Sequence, residues 1–358
     1  MEKLKAKYNG FILYNAGLPK YPRNFSRDSI ISGILMQDPK MLKQQLSFCA
    51  KKQGKRKNPY SGEEPGKIFH ECPPVKRRGL STEYNACDTT ALFLMGHEIY
   101  QKLTGDEKFA EEEKENILKA VDYIKTHLKE YAFIEDPKFS NGKKFALKIT
   151  YWKDSEIFGR ENGEPEYPII YTLVHIQNMR GLRSAYFLLK DEKLKKLADK
   201  MVEYLMKNLF NKSTNNFYLA IDEKGKINAV SSDSLHALFY LNPKDIKPKH
   251  IKQIVNSSSV LETKIGYRTL SEECAKGIKD KYHAKTVWPF EQALINIGAR
   301  KFGLKHVEEV SLRIVKYLKT NHELFIIEKE RIKRGGNNIQ LWTIAAKKYF
   351  KSYQGIFL

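Results

Sequence analysis

The sequence predicts an all-α protein, with consecutive helices packed as pairs in one domain running from residue 1 to 358. Three observations carry that prediction. Apolar residues recur at helical spacing in segment after segment, strand-like alternation is scarce, and no Pro/Ser/Gly-rich linker divides the chain. A chain of 358 residues exceeds the usual single-core size, but helical toroids are among the folds that reach it as one unit.

The helical spacing is read, in chain order, over 28–36, 39–52, 86–104, 112–131, 167–190, 192–208, 232–241, 288–303, 305–320 and 338–352. In KFAEEEKENILKAVDYIKTHLKE and KDEKLKKLADKMVEYLMKN the lysines have acidic neighbours at helical spacing, which marks solvated faces. A small β-hairpin is expected in NNFYLAIDEKGKINAV (215–230), with Gly225 in a polar turn between two extended runs. Longer irregular insertions at 53–85, 133–166 and 257–287 break the pattern of short links. They suggest paired helices with elaborated loops at one end, where such a fold carries its site.

Composition narrows the function. Hydrophobic residues make up 41% and aromatics 12%, enough for a substantial core, and no run approaches the ~18 apolar residues of a membrane span. The N-terminal stretch lacks an apolar segment followed by a small-residue cleavage site, so no membrane partner and a cytoplasmic location are expected. Cys49, Cys72, Cys87 and Cys274 are scattered, without C-x-x-C spacing or zinc-like grouping with histidine. They read as reduced, mostly buried thiols, and no metal or cofactor is implied. The formal charge of +21 would attract polyanions at low salt. Its lysines, however, are spread over helical faces, and only 51–57 (KKQGKRK) and 76–78 (KRR) are concentrated. No specific nucleic-acid partner is expected.

All three tryptophans fall in polar, proline- or glycine-rich surroundings: Trp152 in YWKDS, Trp288 in TVWPFEQA and Trp342 in GGNNIQLWT. A sugar presents flat C–H faces ringed by hydroxyls, so its site needs aromatic platforms beside carboxylates, amides and guanidinium groups. Each tryptophan has such groups within a few residues. One tryptophan alone would be read as core; three in this setting point to carbohydrate.

Several segments resemble, in order, the catalytic domain of debranching-type amylo-α-1,6-glucosidases. They are AGLPKYPRNFSRDSI (16–30), EEPGKIFHE (63–71), YNACDTTALFL (84–94), YWKDS (151–155), SSDSLHALF (231–239), GYRTLS (266–271), YHAKTVWPFEQALI (282–295), HELF (322–325) and NNIQLWTIAA (337–346). The resemblance spans about residues 10–350 and implies an (α/α)6 toroid with a pocket at one end. It also implies inverting hydrolysis of an α-glucosidic bond, in an α-glucoside or malto-oligosaccharide, without a cofactor. Many relatives carry a β-rich domain ahead of the toroid, whereas this chain reaches the first motif by residue 16. That departure favours a short substrate over branched glycogen and leaves room for a separate polypeptide completing the protein.

Carried over by motif, the general acid falls on Asp154 and the general base on Glu323, with Glu328 and Glu330 as rivals for the base. One carboxyl must stay protonated to donate to the leaving oxygen while the other activates a water across the ring. The resemblance further implies that Arg27 and Asp28 grip sugar hydroxyls with Asp88 nearby, and that His70 and Glu71 line the pocket. Trp152, Lys153, His283 and Glu291 join as substrate contacts. Trp288 and Trp342 serve as stacking walls, and Gln340 contacts substrate or caps the last helix. Read without the resemblance, Asp154 and the Arg27–Asp28 pair are ordinary helix-capping residues. Two other functions on the same toroid compete: an epimerase using His70, His236 and His283, and a catalytically silent sugar binder.

Overall fold

The computed structural model describes residues 1–279, 281–328 and 331–352. Six helices form a closed inner ring: α1 (Ser26–Met36), α3 (Thr89–Thr104), α6 (Thr172–Leu189), α8 (Asp233–His236, continued by a 3-10 turn at Ala237–Phe239), α11 (Pro289–Lys301) and α13 (Leu341–Ser352). Each touches the next, and α13 closes the ring on α1. Outside it lie α2 (Pro39–Lys51), α5 (Lys114–Thr126), α7 (Glu192–Tyr204), α9 (Pro248–Ser257) and α12 (Lys305–Leu312). The short helices α4 (Lys108–Glu112) and α10 (Glu272–Ala275) belong to connections.

Composition decides which ring a helix joins. Every residue of α1 is buried, and α11 is buried from Pro289 through Ala299, as expected of helices enclosed on all sides. In α7, by contrast, only Leu194, Ala198 and Met201 are buried, one apolar stripe on an otherwise charged helix. Local chemistry sets the boundaries: Asp38 caps α2 by accepting from the Met41 amide with Pro39 at the first turn, and α3 stops at Gly105 with φ of 72°.

The expected hairpin is present, with Ala220–Asp222 antiparallel to Gly225–Ile227, but its turn is Glu223–Lys224, and Gly225, at φ 113°, opens the second strand opposite Asp222. The helix expected over 112–131 ends at Thr126, because the chain turns into a tight antiparallel pair, Leu128–Lys129 with Ala132–Phe133. The segment 305–320 is α-helical only to Leu312 before tightening to a 3-10 turn. Helix α9 was not anticipated. Its buried stripe is only Ile251 and Ile254 behind an N-terminal proline, and its 10 residues are short beside the longer apolar runs. A second hairpin, Leu324–Glu328 with Arg331–Gly335, also escaped the pattern and carries Glu323 at its base. All four cysteines are free thiols. No helix among the described residues is long and apolar enough to cross a membrane.

Candidate active site

The N-terminal ends of inner helices and the long loops meet at one cavity of about 160 Å³, small beside the roughly 300–1,000 Å³ of drug-sized sites and suited to about one sugar ring. Its walls include Arg27, Asp28, His70, Glu71, Trp152, Asp154, His283, Trp288, Glu323, Gln340 and Trp342. Residues separated by up to 315 positions in sequence therefore share one chamber, all of them named by motif.

The two carboxyl groups expected to act as acid and base have unlike surroundings. Asp154 accepts no hydrogen bond from the described residues, and its carboxyl is raised to about 7. Burial is the main cause, opposed by Arg27 and reinforced by the negative charges of Glu71, Asp88 and Glu323. Glu323 is held on three sides. Tyr282 Oη donates to Oε1, and the backbone and side-chain nitrogens of Asn337 donate to Oε2 at 2.7 and 3.2 Å. Burial pushes this glutamate up, while those donors favour its ionised form. Gly336, at φ 72°, lets the chain pass so close that a Cβ there would lie 2.3 Å from Glu323 Oε2. Of the rival bases, Glu328 stands away from the cavity and pairs with Lys281 (2.5 Å) and Lys333 (3.1 Å). Glu330 lies outside the described residues.

Arg27 makes two parallel bonds to the buried Asp88, at 2.8 and 2.9 Å, and so presents a fixed guanidinium edge to the cavity. Asp88 is thereby a support behind Arg27 and does not itself line the chamber. Burial raises Asp28 well above the usual carboxylate range, and the Gln340 amide lies 3.3 Å from it. Glu71 accepts from Arg23 and Thr82. Among the described residues neither ring nitrogen of the buried His70 makes a well-formed hydrogen bond, and burial with Arg27 nearby drives its pKa well below 6.5 against the backbone of Thr82.

The aromatic walls interlock. Trp288 stacks on His283 at 5.1 Å and 9°, and Trp342 on Phe290 at 3.9 Å and 10°. Trp288 stands nearly perpendicular to both Trp152 and Trp342. His283 is oriented by Ser155 at 2.7 Å. Such crossed ring planes offer more than one face to a sugar.

Two residues assigned as substrate contacts face elsewhere. The Lys153 ammonium points behind the cavity wall, donating to Ser231 Oγ (2.7 Å), Ser232 Oγ (3.1 Å) and Thr269 O (3.0 Å). Glu291 is fully enclosed in the same region, accepting from Ser232 Oγ at 2.6 Å. His236 lies there too, away from the cavity, so the three histidines of the epimerase alternative do not converge on one chamber. Motif reading also passed over Tyr21, Arg23, Phe25 and Tyr282, which line the cavity from within the quoted segments, and Asn337, the ligand of Glu323. Arg77, at the exposed rim, comes from the KRR patch read as surface charge.

No protein-family model matches the chain, and no curated protein matches it in sequence. Solved structures do match in fold. An uncharacterised conserved protein from Thermus thermophilus superposes over 95% of both chains with a TM-score of 0.71 at 10% identity. The GH63 mannosylglycerate hydrolase of the same organism, in complex with Tris and D-glycerate, gives 0.70 at 10% identity over 96% of this chain and 97% of that one. A GH78 rhamnosidase from a Bacillus species gives 0.63 at 12% identity, over 92% of this chain and 32% of the other. The chain has the (α/α)6 toroid fold of these six-hairpin proteins. At such identities the likeness establishes architecture and carries no information on the bond cut.

Proposed function

We propose that this chain is an inverting glycoside hydrolase that removes the terminal sugar from a small α-glycoside, with Asp154 as general acid and Glu323 as general base. The observation that carries the reading is the unequal pair of carboxyl groups on one cavity. Asp154, without a donor among the described residues and raised to about 7, keeps a proton to give to the leaving oxygen near neutral pH. Glu323 is raised by burial, but three donors favour its ionised form, the form that draws a proton from water. The three tryptophans and the Arg27–Asp28 pair supply the stacking faces and hydroxyl contacts that a pyranose needs.

Glucose is the glycone suggested by the debranching-type motifs, and the single-ring cavity supports attack at a chain end. Arg77 at the rim favours a second reading, in which the leaving group carries a carboxylate; mannosylglycerate, named for the GH63 neighbours, is such a compound. Incubation with isomaltose, maltotriose, panose, limit dextrin, glucosylglycerate and mannosylglycerate, followed by detection of free monosaccharide, tests both. Release from the glycerates alone would select the anionic reading. No monosaccharide from any of the six would refute hydrolysis.

A further inference from the structure

The loop that carries Asp154 is gripped from behind by one buried carboxylate that plays no part in the cavity. Tyr151, Trp152 and Lys153, the three residues directly before Asp154, each bind Asp233. Tyr151 Oη donates to Oδ2 at 3.0 Å, Trp152 Nε1 to Oδ1 at 3.2 Å, and the Lys153 ammonium lies 2.9 Å from Oδ1. Asp233 is 7% exposed and opens α8, an inner-ring helix, so its own position is set by the toroid. The Ser231 hydroxyl accepts from the Lys153 ammonium at 2.7 Å and from the Asp233 amide at 3.2 Å, tying loop and helix start together.

We infer that Asp233 is a positioning residue for the general acid, holding three consecutive residues so that the fourth, Asp154, meets the leaving oxygen. The inference rests on Asp154 being the acid. An alternative use of the region as a metal site is less well supported. Asp233, His236 and Glu291 do approach within 4.8 Å of one another, but the Lys153 ammonium already supplies the cation at Asp233 and would repel a second one. A carboxylate accepting two hydrogen bonds and an ion pair from three successive residues of one loop leaves that loop little rotational freedom. Proton transfer is sensitive to displacements of a fraction of an ångström.

A positioning role differs from a purely structural one in its dependence on the leaving group. A sugar or glycerate leaving group needs the proton from Asp154, whereas fluoride departs with far less help. Asp233→Asn, nearly isosteric, places an amide nitrogen among three donors and breaks the grip. With the natural-type glycoside cleaved in the panel above, kcat should fall about 10²-fold with KM within about threefold. With α-D-glucosyl fluoride, or α-D-mannosyl fluoride if mannose is the sugar released, kcat should fall less than about fivefold. Tyr151→Phe, which removes one bond and leaves two, should show the same split at a smaller size, and it serves if Asp233→Asn does not fold by circular dichroism. Asp154→Asn is measured alongside. Equal losses on both substrates, or no loss on the glycoside, in the folded variant would overturn the role of Asp233. If Asp154→Asn itself lacks the split, the assignment of the acid fails instead.

Discussion

Replacing Asp154 by asparagine should make the protein more stable in alkaline solution while removing its activity. Burial, partly offset by Arg27 and reinforced by Glu71, Asp88 and Glu323, lifts this carboxyl from 3.8 to about 7. A carboxyl whose pKa is higher in the folded than in the unfolded chain holds its proton more tightly when folded. The folded state therefore has the advantage below about pH 4, loses it progressively as the pH rises, and carries the full cost of the buried charge above about pH 7. A rise of that size corresponds to at most about 4 kcal/mol, and water entering the open cavity lowers this to roughly 2 kcal/mol. Asparagine never ionises and escapes the cost. With an unfolding entropy of about 2.1 cal/mol/K per residue, a chain of 358 residues should gain roughly 3 °C in Tm. Thermal melts of both proteins at pH 4 and pH 8.5 provide the assay: the gain should be present at the higher pH and absent at the lower. A Tm difference that is the same at both pH values would refute the raised pKa, and with it the reason for naming Asp154 as the acid. The wild-type kcat/KM profile gives a second check, since its alkaline limb should fall near pH 7.

Glu323→Gln should lower kcat by about 10²–10⁴-fold with the fold intact, and proton NMR early in wild-type hydrolysis should show the β-anomer of the released sugar; initial α-anomer would rule out inversion. Gly336→Ala should reduce kcat at least about tenfold by pushing the new Cβ against Glu323 Oε2 at a backbone angle that disfavours alanine, and unchanged kinetics would show that Glu323 is not held where it acts. Binding of DNA or RNA should be weak, indifferent to sequence and lost by ~0.2 M salt in a fluorescence-anisotropy titration, because the positive charge is spread over helical faces. A tight, sequence-selective complex surviving that salt would contradict this.

The sequence disclosed the chamber better than it disclosed the chamber's supports. Trp152, Asp154, Trp288, Glu323 and Trp342, picked out by motif and local chemistry, line one cavity because the toroid brings those segments to one end. Lys153 was misassigned for a geometric reason. Neighbouring residues in an extended loop point to opposite sides, so a charged residue between two wall residues faces the core. Asp233 and Glu291 do their work entirely behind the wall, where nothing in a linear motif separates a supporting carboxylate from one that meets substrate. Helices α1 and α11 were legible from their apolar runs, read as 28–36 and 288–303, although enclosure on all sides leaves them without the polar face that marks the outer helices.

The seam where α13 meets α1 has a consequence for the timing of biogenesis. Leu341 N bonds Ala16 O at 2.8 Å, Lys20 N bonds Asn337 Oδ1 at 2.7 Å, and Gly17–Leu18 pair with Ile339–Gln340. These are contacts of very high sequence separation, which form late and slowly compared with helix pairs made of neighbouring segments. A growing chain on the ribosome can assemble helix pairs as they emerge, but Glu323 lacks Asn337, and the cavity lacks Gln340 and Trp342, until residues 337–342 have been synthesised. The cavity is thus completed in a single late step, when α13 closes the ring on α1.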